Sequence, residues 1–233
     1  MVDELNCVLS KSIIIPAYNE ESRIKQVVLN LVNDFPGQEI IVVCDGQDNS
    51  RIIVTDLSLK YPNILVLSFN HRLGKGGALI QGFRAAHGQE IGFIDADESV
   101  STTDLKKLFQ ALHNVDGVIA SRRLKESKIL KMQSLNRRLV SKGFNIFVRI
   151  IFDLPFTDTQ CGAKVFKKYA IHDVLDEIRT TGFEIDVELL WRLRMKGYIV
   201  LEHPITWKHS EGSKFKLSYS MEMLISLLRI RFN

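Results

Sequence analysis

Two aspartates one residue apart, Asp95 and Asp97 around Ala96, close an apolar run from Glu90 to Asp95 (EIGFID). Carboxylates this close repel unless a cation offsets them, and a hard divalent ion carrying diphosphate oxygens is a natural partner. The same pair also suits a capped turn into a following helix, so the Asp-x-Asp spacing alone decides nothing. Other apolar runs likewise end in polar groups: Pro16-Ala17-Tyr18-Asn19-Glu20, Asp45-Gly46-Gln47-Asp48, and Asn70 through Gly77. Lys75-Gly76-Gly77 opens a predicted helix whose N-terminus suits an anion. It is not a P-loop, because Gly76 stands where Ser or Thr belongs, and this disfavours a nucleotide kinase or ATPase. The histidines show no metal-ligand spacing and no GxSxG elbow is present, so hydrolase chemistry loses its main supports. Cys161, in a polar turn, reads as a structural thiol rather than a nucleophile.

The elements that position these groups follow from the apolar pattern. Strands are predicted at Ser12 to Ala17, Glu39 to Cys44, Ile64 to Phe69, Glu90 to Asp95 and Gly117 to Ser121. Helices are predicted near 20–34, 50–60, 75–87 and 103–113. Apolar runs without period-2 alternation mark strands buried on both faces, and strand–helix alternation marks a mostly parallel, helix-wound α/β sheet. Ligands of such sheets bind beyond the C-terminal strand ends, where the polar groups above converge. Past residue 121 the pattern changes to an amphipathic helix at about 130–152, a turn-rich Asp158 to Gly162, a helix near 184–196, a strand at 198–202 and a last amphipathic helix from about 215. We read residues 1–233 as one domain with a membrane-facing second half; its division into 12–121, binding a nucleotide sugar, and 122–233, binding the acceptor and facing the membrane, is what the resemblance given below implies.

Charge is concentrated in that second half. Residues 121–150 hold nine Lys and Arg against one acid, a local +8 beside −4 for the rest of the chain. Interleaved with Leu, Ile and Phe, such a block suits a lipid phosphate or a membrane surface; a solvated helix face has the same look. No nucleic-acid-binding motif accompanies it, and no nucleic-acid partner is expected. Three scattered cysteines, an acidic N-terminus without an apolar core, and no apolar run of spanning length suggest a reduced, cytoplasmic protein, peripheral on the cytoplasmic face of a membrane.

The order Pro16 to Glu20, Asp45-Gly46, Gly74 to Ala78 and Asp95-Ala96-Asp97 resembles the family-2 glycosyltransferases with the GT-A fold. Ser121-Arg122, Asp158 to Lys164, Phe183 to Leu190 and Glu211 to Lys214 look like the polyprenyl-phosphate sugar synthases within that family. The resemblance implies inverting transfer of a hexose from a nucleotide diphosphate sugar to dolichyl or polyprenyl phosphate. By position, it implies that Pro16, Ala17, Tyr18, Glu20 and Asp45 line the base and ribose pocket, with Asp48, Lys75 and Ala96 as further donor contacts. Asp95 and Asp97 would hold Mg²⁺ or Mn²⁺, with Ser99 as a weak third ligand, and these two acids carry the catalytic role. Arg122, Arg137 and Ser141 match positions that hold the acceptor phosphate; Arg137, Ser141 and Asn145 share one helix face.

The chain departs from the family pattern at three places. The turn after the second strand is one acid short at Cys44-Asp45, with Asp48 either taking over the missing contact or leaving it unmade. Ser99 replaces a stronger ligand. An arginine that relatives place before the last Gly-Ser-Lys is missing, so Lys208, His209 or Lys214 would supply the donor-phosphate contact. The Asp158 to Gly162 and Glu211 to Lys214 stretches imply UDP-glucose ahead of GDP-mannose. A transferase using a saccharide acceptor, or a non-catalytic binder of nucleotide or lipid, would share the same donor-side residues.

Overall fold

A computed structural model describes residues 10–131, 135–210 and 219–232, without the side chains of 135–139, 219 and 220. Seven strands form the main sheet in the order β3-β2-β1-β4-β7-β5-β8. They are β1 (Lys11–Ala17), β2 (Glu39–Cys44), β3 (Ile64–Ser68), β4 (Glu90–Ile94), β5 (Gly117–Ser121), β7 (Ala163–Lys167) and β8 (Val200–Pro204). β6 (Lys128–Lys131) pairs in parallel with β9 (Thr206–Lys208) in a separate two-stranded sheet. The first five strands start and end within one residue of their sequence expectations.

Strand alternation explains why the sheet carries helices on both faces. In β2, Ile40, Val42 and Cys44 enter one core while Ile41 and Val43 enter the other. The first core receives α1 (Ile24–Asp34), α2 (Ser50–Ser58) and α4 (Thr102–Ala111). The second receives α3 (Gly74–Ala85), α5 (Leu135–Phe152), α6 (Lys168–Leu175), α7 (Ile185–Met195) and α8 (Tyr219–Phe232). Burying apolar side chains on both faces is the main favourable term for such a sheet.

The departures from expectation lie in the second half. β7 runs antiparallel between β4 and β5, and α6 follows it directly; neither element was expected. The predicted helix at about 130–152 is present as α5 (Leu135–Phe152), ending where expected, while residues 130 and 131 belong to a strand, β6, that was not expected. The lysine-bounded run Lys128–Lys131 takes the extended form because β9, distant in sequence, supplies its hydrogen-bonding edge. The last helix is described from Tyr219, and residues 211–218 lie outside the described residues.

Phe83 of α3 is fully buried and meets Phe93 of β4 edge-on at 6.3 Å between ring centroids. Phe83→Ala is expected to lower unfolding free energy by about 3–5 kcal/mol, read as a fall in urea midpoint at unchanged slope.

Candidate active site

A cavity of about 650 Å³ opens at the C-terminal ends of β1, β2 and β4. Its wall brings together Pro16, Ala17, Tyr18, Glu20, Asp45, Lys75, Asp95, Ala96, Asp97, Ser99, Arg122, Ser141 and His209. Two expected residues lie outside it. Asp48 instead serves the start of α2, its Oδ1 accepting from the Ser50 N–H (3.0 Å) and its Oδ2 from the Glu21 N–H (2.8 Å). Lys208 is exposed and absent from the wall. Lys214 and the side chain of Arg137 lie outside the described residues.

Both aspartates of the pair line the cavity. β4 ends at Ile94, Ala96 and Asp97 lie in the turn that follows it, and the chain then passes through Glu98 with φ of 56°. The Ser99 N–H donates to Asp97 Oδ1 at 2.9 Å, which orients that carboxylate. Asp95 packs over Gly162, where any Cβ would come within 2.3 Å of its Oδ2. The glycine of the Asp158 to Gly162 stretch is therefore a spatial requirement of the aspartate site.

Asp95 belongs to a buried charge network. Lys75 Nζ lies 3.0 Å from Asp95 Oδ1 and 2.9 Å from Asp186 Oδ2. Lys164, fully buried, donates to Asp186 and to the Cys161 carbonyl (2.8 Å). Burial alone would raise the Asp186 pKa, but the ammonium groups of Lys164 and Lys75 outweigh it and hold it low. For Asp95, burial dominates over Lys75, and the negative charges of Asp97 and Asp186 add to it, so its pKa is raised. Three carboxylates thus face two ammonium groups, leaving negative charge for a further cation. Asp97 makes no ion pair among the described residues.

This donor set fits a divalent metal of the Mg²⁺ or Mn²⁺ kind. Among the described residues, no group of three or more His, Cys, Asp or Glu forms a protein cage. One or two carboxylates are what such ions need when phosphate oxygens and water complete the shell. Asp95 and Asp97 would hold the ion, and the buried Ser99 lies within the same wall.

The start of α3 behaves otherwise than expected. Asp45 Oδ2 accepts the N–H groups of Leu73 (2.8 Å) and Gly74 (3.1 Å), while the Thr181 carbonyl accepts those of Gly76 (2.8 Å) and Gly77 (3.2 Å). These four amides are taken by the protein, so they do not form an open anion cradle. A Cβ at Gly76 would lie 2.6 Å from the Thr180 carbonyl oxygen, so glycine permits this contact. Lys75, expected on the donor, is here the counter-ion of Asp95 and Asp186.

On the opposite wall, Arg122 grips Asp158 through Nε and Nη2, both at 2.7 Å, with its guanidinium over the Trp207 ring at 5.4 Å. Burial would raise the Asp158 pKa, but Arg122 holds it low. Ser141 accepts from Arg123 Nη2 at 3.1 Å. His209 stacks on Trp207 with centroids 5.9 Å apart. Burial pushes both the Cys44 and Cys161 thiols up to about 12, as suits inert structural thiols. Sequence reading passed over three further groups. Arg72, over the Tyr18 ring at 4.4 Å, and Arg23, bonded to Glu20 and to Ser210 Oγ (3.1 Å), both line the wall. Asp186 stood in a quoted motif without a role, because its lysine partners, Lys75 and Lys164, lie 111 and 22 residues away and meet it only in the fold.

The family model for glycosyl transferase family 2 matches residues 12–175. The chain belongs to glycosyl transferase family 2. A dolichyl-phosphate beta-glucosyltransferase of Trichomonas vaginalis is 33% identical over 238 residues, covering 94% of this chain and 72% of that protein. The Homo sapiens dolichyl-phosphate beta-glucosyltransferase is 28% identical over 240 residues, covering 94% and 74%. Among solved structures, glucosyl-3-phosphoglycerate synthase from Mycobacterium tuberculosis, in complex with Mn²⁺, UDP-glucose and phosphoglyceric acid, superposes with a TM-score of 0.69. At 18% identity, covering 95% of this chain and 79% of that one, this likeness shows the fold, that of the family's GT-A glycosyltransferases.

The two kinds of acid in this family-2 site separate experimentally. Asp186→Asn leaves two buried ammonium groups undercompensated and is expected to cost about 3–5 kcal/mol of stability. Asp97→Asn, at a half-buried carboxylate without an ion pair, is expected to stay within about 0.5 kcal/mol of wild type. Chemical denaturation of both variants checks the contrast.

Proposed function

We propose that this glycosyltransferase moves glucose from UDP-glucose to dolichyl or a related polyprenyl phosphate, with inversion, while bound to a membrane surface. The observation that carries the reading is a single cavity with two unlike walls: acids at the strand ends on one side, and Arg122 and Ser141 with the apolar flanks of α5 and α8 on the other. The acidic wall suits a metal-bound diphosphate, and the basic wall suits a second anion attached to an apolar chain. The names of the relatives support glucose and dolichyl phosphate as the two substrates.

The chain's own groups divide the work accordingly. Tyr18 and Arg72 offer a ring and a guanidinium plane to the base, and Asp95 and Asp97 face the diphosphate. A metal held there would act as a Lewis acid toward the leaving diphosphate. A phosphate monoester with second pKa near ~6 is largely a dianion at neutral pH and attacks without a dedicated base. No general base is assigned.

The helices that line the basic wall also supply an outer face. Val140, Ser141 and Phe144 of α5, and Met223 and Ser226 of α8, face the cavity. On the outside of α8, Met221, Ile225, Leu228 and Phe232 are exposed at i, i+4, i+7 and i+11, one apolar stripe flanked by exposed Arg229 and Arg231. α5 adds exposed Ile146 and Ile150 beside Lys142 and Arg149. Among the described residues no helix is long and apolar enough to cross a membrane. An apolar stripe with cationic flanks supports an interfacial position, on the cytoplasmic face where nucleotide sugars are available.

Purified protein with Mn²⁺, polyprenyl phosphate and either UDP-glucose or GDP-mannose is expected to give lipid-extractable glucose and no mannose. Asp97→Ala is expected to lower turnover by about 100-fold or more. Transfer to a sugar acceptor with none to polyprenyl phosphate, or full activity in Asp97→Ala, would overturn the reading.

A further inference from the structure

We propose that a groove at the C-terminal end of α5, separate from the catalytic cavity, seats the phosphate of an anionic phospholipid and so fixes the protein on a negatively charged membrane. The proposal rests on the reading that the chain works at a membrane surface. The groove encloses about 400 Å³ and is lined by apolar Ile146, Ile150 and Leu154 together with Arg149, Asp153 and Arg194. None of its lining residues belongs to the catalytic cavity.

One helix stripe and one turn build it. Lys142, Ile146, Arg149 and Ile150 are exposed at i, i+4, i+7 and i+8, so a single face of α5 interleaves cations with apolar groups. α5 stops at Phe152, Asp153 takes φ of 51°, and the Leu154 N–H returns to the Arg149 carbonyl at 3.2 Å. This left-handed turn closes the helix end and brings Leu154 back to it. Arg194, in the last turn of α7, donates from Nη2 to Asp153 Oδ2 at 2.6 Å. α8 ends at the same place: Arg231 Nε donates to the Ile151 carbonyl at 3.1 Å, and its guanidinium lies over the Trp191 ring of α7 at 5.8 Å. The apolar stripe on the outside of α8, which finishes at Phe232, thus arrives beside the groove.

Charge and exposed apolar surface together select the occupant. Arg149 makes no ion pair among the described residues. The one acid in the groove, Asp153, answers Arg194, and with side chains 89% and 41% accessible that pair is too well solvated to exclude another anion. The groove therefore carries an uncompensated positive charge. A planar guanidinium matches two oxygens of a phosphate, and a phospholipid phosphate is anionic and joined to apolar chains. A free phosphate would use the guanidiniums alone and leave Ile146 and Ile150 facing water, whereas a lipid covers both.

The test is flotation of the full chain with vesicles of phosphatidylcholine alone and of phosphatidylcholine with phosphatidylserine. Wild type is expected to bind the phosphatidylserine vesicles about 10-fold tighter or more at low ionic strength, with the difference shrinking as salt is added. Arg149→Gln with Arg194→Gln is expected to lose about 10-fold or more of that affinity. The control pair Arg51→Gln with Lys60→Gln, at α2 on the other face of the sheet, is expected to lose less than about twofold. Arg149→Lys with Arg194→Lys keeps the charge without the planar fork and should recover only part of the loss. Melting temperatures, and kcat with farnesyl phosphate in non-ionic detergent, should be unchanged in every variant. Equal wild-type affinity for the two vesicles, or equal losses in the two glutamine pairs, would overturn the site and leave the membrane reading intact. Binding to neither vesicle would overturn both. Full recovery in the lysine pair would reduce the effect to diffuse charge and overturn the phosphate seat.

Discussion

Everything at the working edge of this sheet depends on how buried charges are offset around Asp186. That carboxylate takes Lys75 from the N-terminus of α3 on one oxygen and Lys164 from β7 on the other. Each lysine also touches the aspartate motif's surroundings, Lys75 through Asp95 and Lys164 through the Cys161 carbonyl next to Gly162. Buried ions remain buried only when paired and hydrogen-bonded, so the four groups fix one another's positions. The first half of the chain supplies Lys75 and Asp95, the second supplies Lys164 and Asp186, and neither half completes the network alone. One acid, Asp97, is left outside it and keeps its charge for a ligand.

The same constraint explains what could be read from the sequence and what could not. Strands β1 to β5 were legible because each is a short apolar run that packs on two faces, the edge strand β3 only partly buried, and this is a local property. β7 was missed because its sequence, AKVFK, places Lys164 at a position that is fully buried in the sheet. A lysine there is intelligible only beside Asp186, and that contact is tertiary. β6 was missed for a related reason: a four-residue segment with a lysine at each end becomes a strand only when β9 arrives to pair with it.

Site residues divide along the same line. Pro16, Tyr18, Glu20, Asp95, Asp97 and Ser99 sit at strand ends, where topology alone sends them to the cavity. Residue type said less about partners. Arg122 and Lys75 look like anion receptors in sequence and are counter-ions of buried carboxylates in the fold, while Asp48 looks like a ligand and serves the start of α2. An arginine contributes to ligand binding only with charge that the protein has not already neutralised, a quantity that no local pattern reports. The basic block between 121 and 150 was therefore legible as a block, and its members' roles were not.

On the proposed function, the acidic wall holds the donor's diphosphate through a divalent cation, with Asp97 as the acid left available for it. The most direct measurement is calorimetric titration of UDP into the wild-type protein and Asp97→Asn, each with Mn²⁺ and with EDTA. Binding to wild type is predicted to be about 10-fold tighter or more with Mn²⁺, and that metal dependence is predicted to vanish in Asp97→Asn. Equal UDP affinity with and without metal in wild type, or undiminished Mn²⁺ dependence in a folded Asp97→Asn, would contradict it.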